Sequence, residues 1–62
     1  MKQRILIVDD ETAILLAFKK LLQSPDIVVD AAETIDDAEK LLKENIYNVV
    51  IADLRLTGMD SD

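Results

Sequence analysis

Ile5-Leu6-Ile7-Val8-Asp9-Asp10-Glu11, near the start of the chain, is the stretch on which the fold turns. Four consecutive apolar, mostly β-branched residues with no polar alternation read as a strand buried on both faces, the pattern of a central parallel strand. The same pattern returns at Val49-Val50-Ile51-Ala52 and again ends in an aspartate, Asp53. Between the two lie helical periods. From Glu11 to Gln23, Ile14, Ala17, Phe18 and Leu21 fall at i, i+3, i+4 and i+7, one face of a helix, with Lys19 and Lys20 near the end where they favour the dipole. Ser24-Pro25-Asp26 breaks that helix, because the residue before a proline is pushed out of the helical region.

Ile27-Val28-Val29 opens a second strand that Asp30-Ala31-Ala32 continues less hydrophobically, as an edge strand would. Thr34 with Asp37 three residues on is similar to a capping box, with Asp in place of the usual Glu or Gln. Ala38, Leu41 and Leu42 supply the buried stripe of a second helix, expected to end near Glu44 or Asn45 because Asn tolerates the left-handed conformation common at helix ends. Leu54 to Asp62 reads as a loop. The order strand, helix, strand, helix, strand predicts one α/β domain over residues 1–62, a parallel sheet in the order 2-1-3 with one helix on each face.

A chain of 62 residues buries only about 60% of the surface it exposes when unfolded, so stability is marginal and oligomerisation or a partner segment would help it. Half the residues are apolar and 32% are charged, a globular composition. The absence of cysteine and histidine excludes disulfides, Cys or His zinc sites and Ser-His or Cys-His nucleophilic pairs. A net charge of −6 opposes direct binding to a nucleic-acid backbone. Apolar runs of six residues or fewer, and a start lacking an apolar signal-peptide core, predict no membrane span and a cytoplasmic location. One glycine excludes a Walker or dinucleotide loop.

Parallel strands place their C-terminal ends along one sheet edge, where open α/β sheets bind ligands. Asp9, Asp10 and Asp53 are expected there together. Carboxylates brought close repel one another unless a cation neutralises them, and Mg²⁺, with its preference for oxygen ligands, suits such a set. Acidic residues after a strand also cap the following helix, and for Asp10 or Glu11 taken singly that reading stands beside the metal reading.

These residues resemble the receiver domain of two-component response regulators, from Ile5 to about Asp60. Receivers end their first strand in an acidic pair and their third in the phosphoacceptor, read here in Asp9-Asp10 and in Val49-Val50-Ile51-Ala52-Asp53-Leu54-Arg55-Leu56. The resemblance implies a flavodoxin-like doubly wound sheet, of which this chain holds a (βα)2β half. It implies that Asp9, Asp10, Asp53 and the main-chain carbonyl of Arg55 hold Mg²⁺, that Asp53 accepts the phosphoryl group, and that the donor is a sensor histidine kinase. Such a module accepts phosphate and is not itself an enzyme. Thr57 and Ser61 stand where the family usually carries Pro and Gly.

The family also uses a Ser or Thr after a fourth strand and a Lys after a fifth, and no residue here takes either role. Lys19, Lys20, Lys40 and Lys43 fall on the predicted helices and read as surface charges. An apolar third strand without a fourth beside it is a template for pairing, and a two-fold homodimer with antiparallel third strands is the simplest expectation. The alternative to phosphoryl acceptance in the parent protein is therefore a self-associating structural half-domain without phosphotransfer. A Mg²⁺-dependent phosphatase or nuclease would need a general acid or base and substrate-binding cations near the cluster, and the sequence offers none there beyond Arg55.

Overall fold

The structure, a computed structural model, describes residues 2–53. Three strands and two helices alternate: β1 (Gln3–Val8), α1 (Thr12–Leu22), β2 (Ile27–Ala32), α2 (Ile35–Glu44) and β3 (Val49–Ala52). The sheet runs in the order β2-β1-β3, with both pairings parallel. This is the parallel order that the apolar strands predict and the half flavodoxin-like arrangement that the family resemblance implies. No helix among the described residues is long and apolar enough to cross a membrane.

β1 is central, and its side chains serve two cores. Leu6 and Val8 pack with Ala32 and Ala38, and Leu41 and Tyr47 close that cluster on the α2 face. Ile7 packs on the other face with Leu15 and Val29, supported by Ile5, Phe18 and Leu22. One helix therefore covers each face, as alternation along a doubly buried strand demands. Leu6 and Ile7 are the fully buried large side chains. β1 begins two residues earlier than its apolar run, since Gln3 and Arg4 pair with Ile27 and Val28 and the Gln3 amide donates to Asp26.

The buried face of α1 is rotated from the predicted one. Leu15 is buried and Ile14, Phe18 and Leu22 are partly so, whereas Ala17 is exposed and Leu21 is 76% exposed. The helix is apolar over most of its circumference, from Ala13 to Phe18 without interruption, so its period alone does not choose a face. Packing against Ile7 and Val29 makes that choice. In α2 the same reasoning holds for Ala38 and Leu41 and fails for Leu42, which is 46% exposed.

The turns follow the predicted chemistry with one difference. After α1, the Ile27 amide donates to the Ser24 carbonyl and the Asp26 amide to Ser24 Oγ, closing the break around Pro25. Thr34 caps α2, accepting the Asp37 amide at 3.1 Å. α2 ends at Glu44 as expected, but Asn45 is extended (φ −138°, ψ 157°) and not left-handed. Its amide and its Nδ2 both donate to the Leu41 carbonyl, satisfying the helix end without a positive φ.

Candidate functional site

The C-terminal edge of the sheet is assembled from three strand ends. Asp9 follows β1 directly, and its amide donates to the Ala32 carbonyl at the end of β2. Asp53 follows β3, and its amide donates to the Val8 carbonyl at 3.0 Å. The sheet thus sets the backbones of Asp9 and Asp53 on adjoining strands at one level, which parallel pairing of Val8 with Ala52 requires.

The side chains differ in their surroundings. Asp9 is 4% exposed, the buried charged residue among those described, and its Oδ1 accepts the Glu11 amide at 2.9 Å. That bond turns the chain into α1, whose own N-cap position, Glu11, contributes no side-chain bond. Asp9 thus closes a turn ahead of the helix, on the amide of the N-cap residue, and caps no amide of the helix itself; its carboxylate stays held at the site. Asp10 is exposed and Asp53 half-buried. Among the described residues no three carboxylates form a group that could hold a metal ion. Asp9 and Asp53 are brought to neighbouring strand ends, and Asp10 adds a carboxylate on the solvent side of the same edge.

Arg55, whose carbonyl the family resemblance adds to the metal ligands, lies outside the described residues, as do the loop reading of Leu54 to Asp62 and the departures at Thr57 and Ser61. Beneath the edge a cleft of about 310 Å³ opens between α1 and β3, lined by Ile7, Ile14, Phe18 and Ile51, with Asp9 and Asp53 at its rim.

Two features of the structure have no counterpart in the motif reading. Thr12 Oγ1 donates to Glu33 Oε2 at 2.9 Å, tying the first turn of α1 to the end of β2 and adding a carboxylate to this edge. At the opposite end of the sheet, Arg4 Nε and the Tyr47 hydroxyl both donate to Asp30 Oδ2, at 3.2 and 2.6 Å. The Arg4 guanidinium lies 5.9 Å from the centre of the Tyr47 ring. Burial, followed by the Asp30 carboxylate, raises the Tyr47 phenol above its ordinary value of 10.0. An isolated Arg and an isolated Tyr carry no spacing signal; only the alternation that puts Arg4, Leu6 and Asp30 on one sheet face hints at the pair.

A family model described as the response regulator receiver domain matches residues 5–61, nearly the whole chain. The chain belongs to that family. Relatives of this receiver include the alginate biosynthesis transcriptional regulatory protein AlgB of Pseudomonas aeruginosa and of Pseudomonas putida, each 42% identical over 60 residues. AlgB of Pseudomonas syringae pv. tomato is 38% identical over the same length. Each match covers 92% of the receiver chain and 13% of the relative, so the chain spans about an eighth of the proteins it matches. No solved structure matches it.

Proposed function

We propose that this receiver chain, taken alone, acts as a self-associating α/β scaffold, and that phosphoryl acceptance at Asp53 belongs to the longer protein in which such a segment is completed. The observation that carries the first half is β3. Val49, Val50 and Ile51 are 46%, 48% and 36% exposed, and among the described residues β3 pairs with β1 alone. An apolar strand with an open edge is a template for another strand. Two copies related by a two-fold axis would join antiparallel through β3 into a six-stranded sheet, satisfying the edge in both at once.

Phosphoryl acceptance is favoured by a separate observation, the Asp53–Val8 bond that brings Asp53 level with the buried Asp9. In that reading Asp53 is the nucleophile and the receiver is a cytoplasmic substrate of a sensor histidine kinase, not a turnover catalyst. Asp9, Asp10 and Asp53 are oxygen donors of the kind Mg²⁺ prefers, and binding would have to draw their carboxylates into one group, which the Arg55 carbonyl would join. The bound ion would offset charge developing on the phosphoryl oxygens. The receiver's own part is to hold Asp9 rigid through the Glu11 amide and to present Asp53 beside it.

Sedimentation of the 62-residue chain at micromolar concentration tests the scaffold reading. A dimer that Val50→Lys converts to folded monomer supports it; a wild-type monomer with native circular dichroism overturns it. The acceptor reading is tested by Mg²⁺ titration followed by a small phosphodonor. Saturable shifts at Asp9 and Asp53 and a mass gain lost in Asp53→Asn support the site. Phosphorylation undiminished in Asp53→Asn would move the acceptor elsewhere.

A further inference from the structure

β3 raises a problem of register. Its four residues, Val49-Val50-Ile51-Ala52, and the four they face, Ile5-Leu6-Ile7-Val8, are apolar throughout. A shift of one residue would exchange the two faces of β3, but both faces are apolar, so the pattern resists a slip only weakly. Helix packing does not hold the strand either. α1 and α2 pack on β1 and β2, and neither helix makes a packed interface with β3. Yet a slip of two residues would carry Asp53 about 6.6 Å along the sheet, away from Asp9.

We propose that Arg4, with Asp30, Tyr47 and Asn48, is the positioning cluster that fixes the register of β3 on β1 and thereby the level of Asp53 at the opposite sheet edge. Arg4 is the hub. Its amide donates to Asn48 Oδ1 at 2.8 Å, and its carbonyl accepts the Asn48 amide at 2.8 Å. The Asn48 side chain thus stands in for a strand carbonyl, extending the ladder one step before β3 begins. The Arg4 side chain reaches the other way, to Asp30 on β2, and Tyr47 closes the ring through its hydroxyl on Asp30 and its ring beside the guanidinium. Asn45 Nδ2 lies 3.5 Å from the same hydroxyl, joining the end of α2 to the cluster.

Two neighbouring residues of the α2–β3 connection are therefore each held by Arg4, one through its backbone and one through its side chain. These bonds are directional and lie at one register only. In a two-residue slip neither the Asn48 pair nor the Tyr47–Asp30 bond can form, whereas the apolar contacts of β3 would be largely regained. The polar cluster supplies the discrimination that the apolar strands lack. This inference concerns the chain's own fold and does not depend on whether Asp53 is phosphorylated or β3 dimerises.

The test reads register directly. In the full chain with ¹³C-methyl-labelled isoleucine, Ile51 should show contacts to Ile7, its partner across the ladder. In Tyr47→Phe/Asn48→Ala, which removes the hydroxyl on Asp30 and the Oδ1 acceptor of the Arg4 amide, those contacts should move to Ile5 or vanish. The amides at positions 48 and 53 should exchange at least tenfold faster, with amides of the β1–β2 ladder changed less than threefold. Should the double variant not fold, Tyr47→Phe alone keeps the ring and removes only the hydroxyl, and a fivefold or greater rise confined to the same two amides is expected. Arg4→Lys, with charge but without the planar donor, should not restore the Ile51–Ile7 contacts in the Tyr47→Phe background. Unchanged Ile51–Ile7 contacts in the variants would overturn the proposal. So would acceleration of β1, β2 and β3 amides in step, which would make the cluster a general stabiliser.

Discussion

β1 and β3 are nearly the same strand in composition and opposite in circumstance. Ile5-Leu6-Ile7-Val8 lies between two neighbours and under two helices, with Leu6 and Ile7 at 0% and 1% exposure. Val49-Val50-Ile51-Ala52, among the described residues, pairs along one side and is exposed at every residue. An all-apolar run thus marks a strand suited to burial on both faces, and it does not reveal how much of the chain at hand does the burying. The difference also separates the two functional readings, since β1 fixes Asp9 within a core and β3 presents Asp53 from an uncovered ladder.

The largest effect that can break this comparison is a pair of truncations. Leu6→Ala should cost about 2–5 kcal/mol in urea unfolding, as a cavity in a closed core does, while Val50→Ala should cost about 0.5 kcal/mol. Similar costs for both, rising together with protein concentration, would mean that β3 is covered in solution. The next effect concerns α2, which packs on β1 and β2. Thr34→Ala removes the bond to the Asp37 amide and should lower stability by about 1 kcal/mol without changing the sedimentation behaviour attributed to β3.

A smaller effect lies at the junction of the two strands. The Tyr47 phenol is held above 10.0 in the fold by burial and by the Asp30 carboxylate, so its protonated form is favoured there. That contribution is fully present below the unfolded value of about 10 and is lost as pH rises through the higher folded value. The urea midpoint should therefore fall on alkaline titration, and Tyr47→Phe should flatten that fall. A wild-type profile identical to the variant's would detach Tyr47 from the cluster. The smallest effect is ionic. With a net charge of −6, two copies repel, and β3-mediated association should strengthen modestly between low and physiological salt. Weakening with salt would point to an ion-paired interface instead of an apolar strand.

Much of the fold was legible because periodicity and breakers act locally. The doubly apolar strands announced a parallel sheet, Ser24-Pro25-Asp26 marked the first helix end, and Thr34 marked the second helix start; each is a property of a few adjacent residues. The face of α1 was not legible, because Leu15 and Leu21 are equally apolar and only Ile7 and Val29 decide between them. The Asn45 cap was half legible: the residue was right and its backbone was not, since a side-chain bond to Leu41 replaced the left-handed turn. Of the candidate site, Asp9 and Asp53 could be paired from the strand endings, but the burial of Asp9 and its bond to Glu11 depend on how β1, β2 and α1 meet.

The sequence by itself determined the order of elements, the parallel sheet and the family, because hydrophobic period, turn chemistry and the strand-ending aspartates are written in neighbouring residues. Only the tertiary structure decided which side of α1 is buried, that Asp9 is buried while it closes the turn into α1 and lines the site, and that Arg4 gathers Asp30, Tyr47 and Asn48. Those partners are separated by up to 44 positions along the chain, and contacts at that distance are chosen by packing and strand register, which no local pattern encodes.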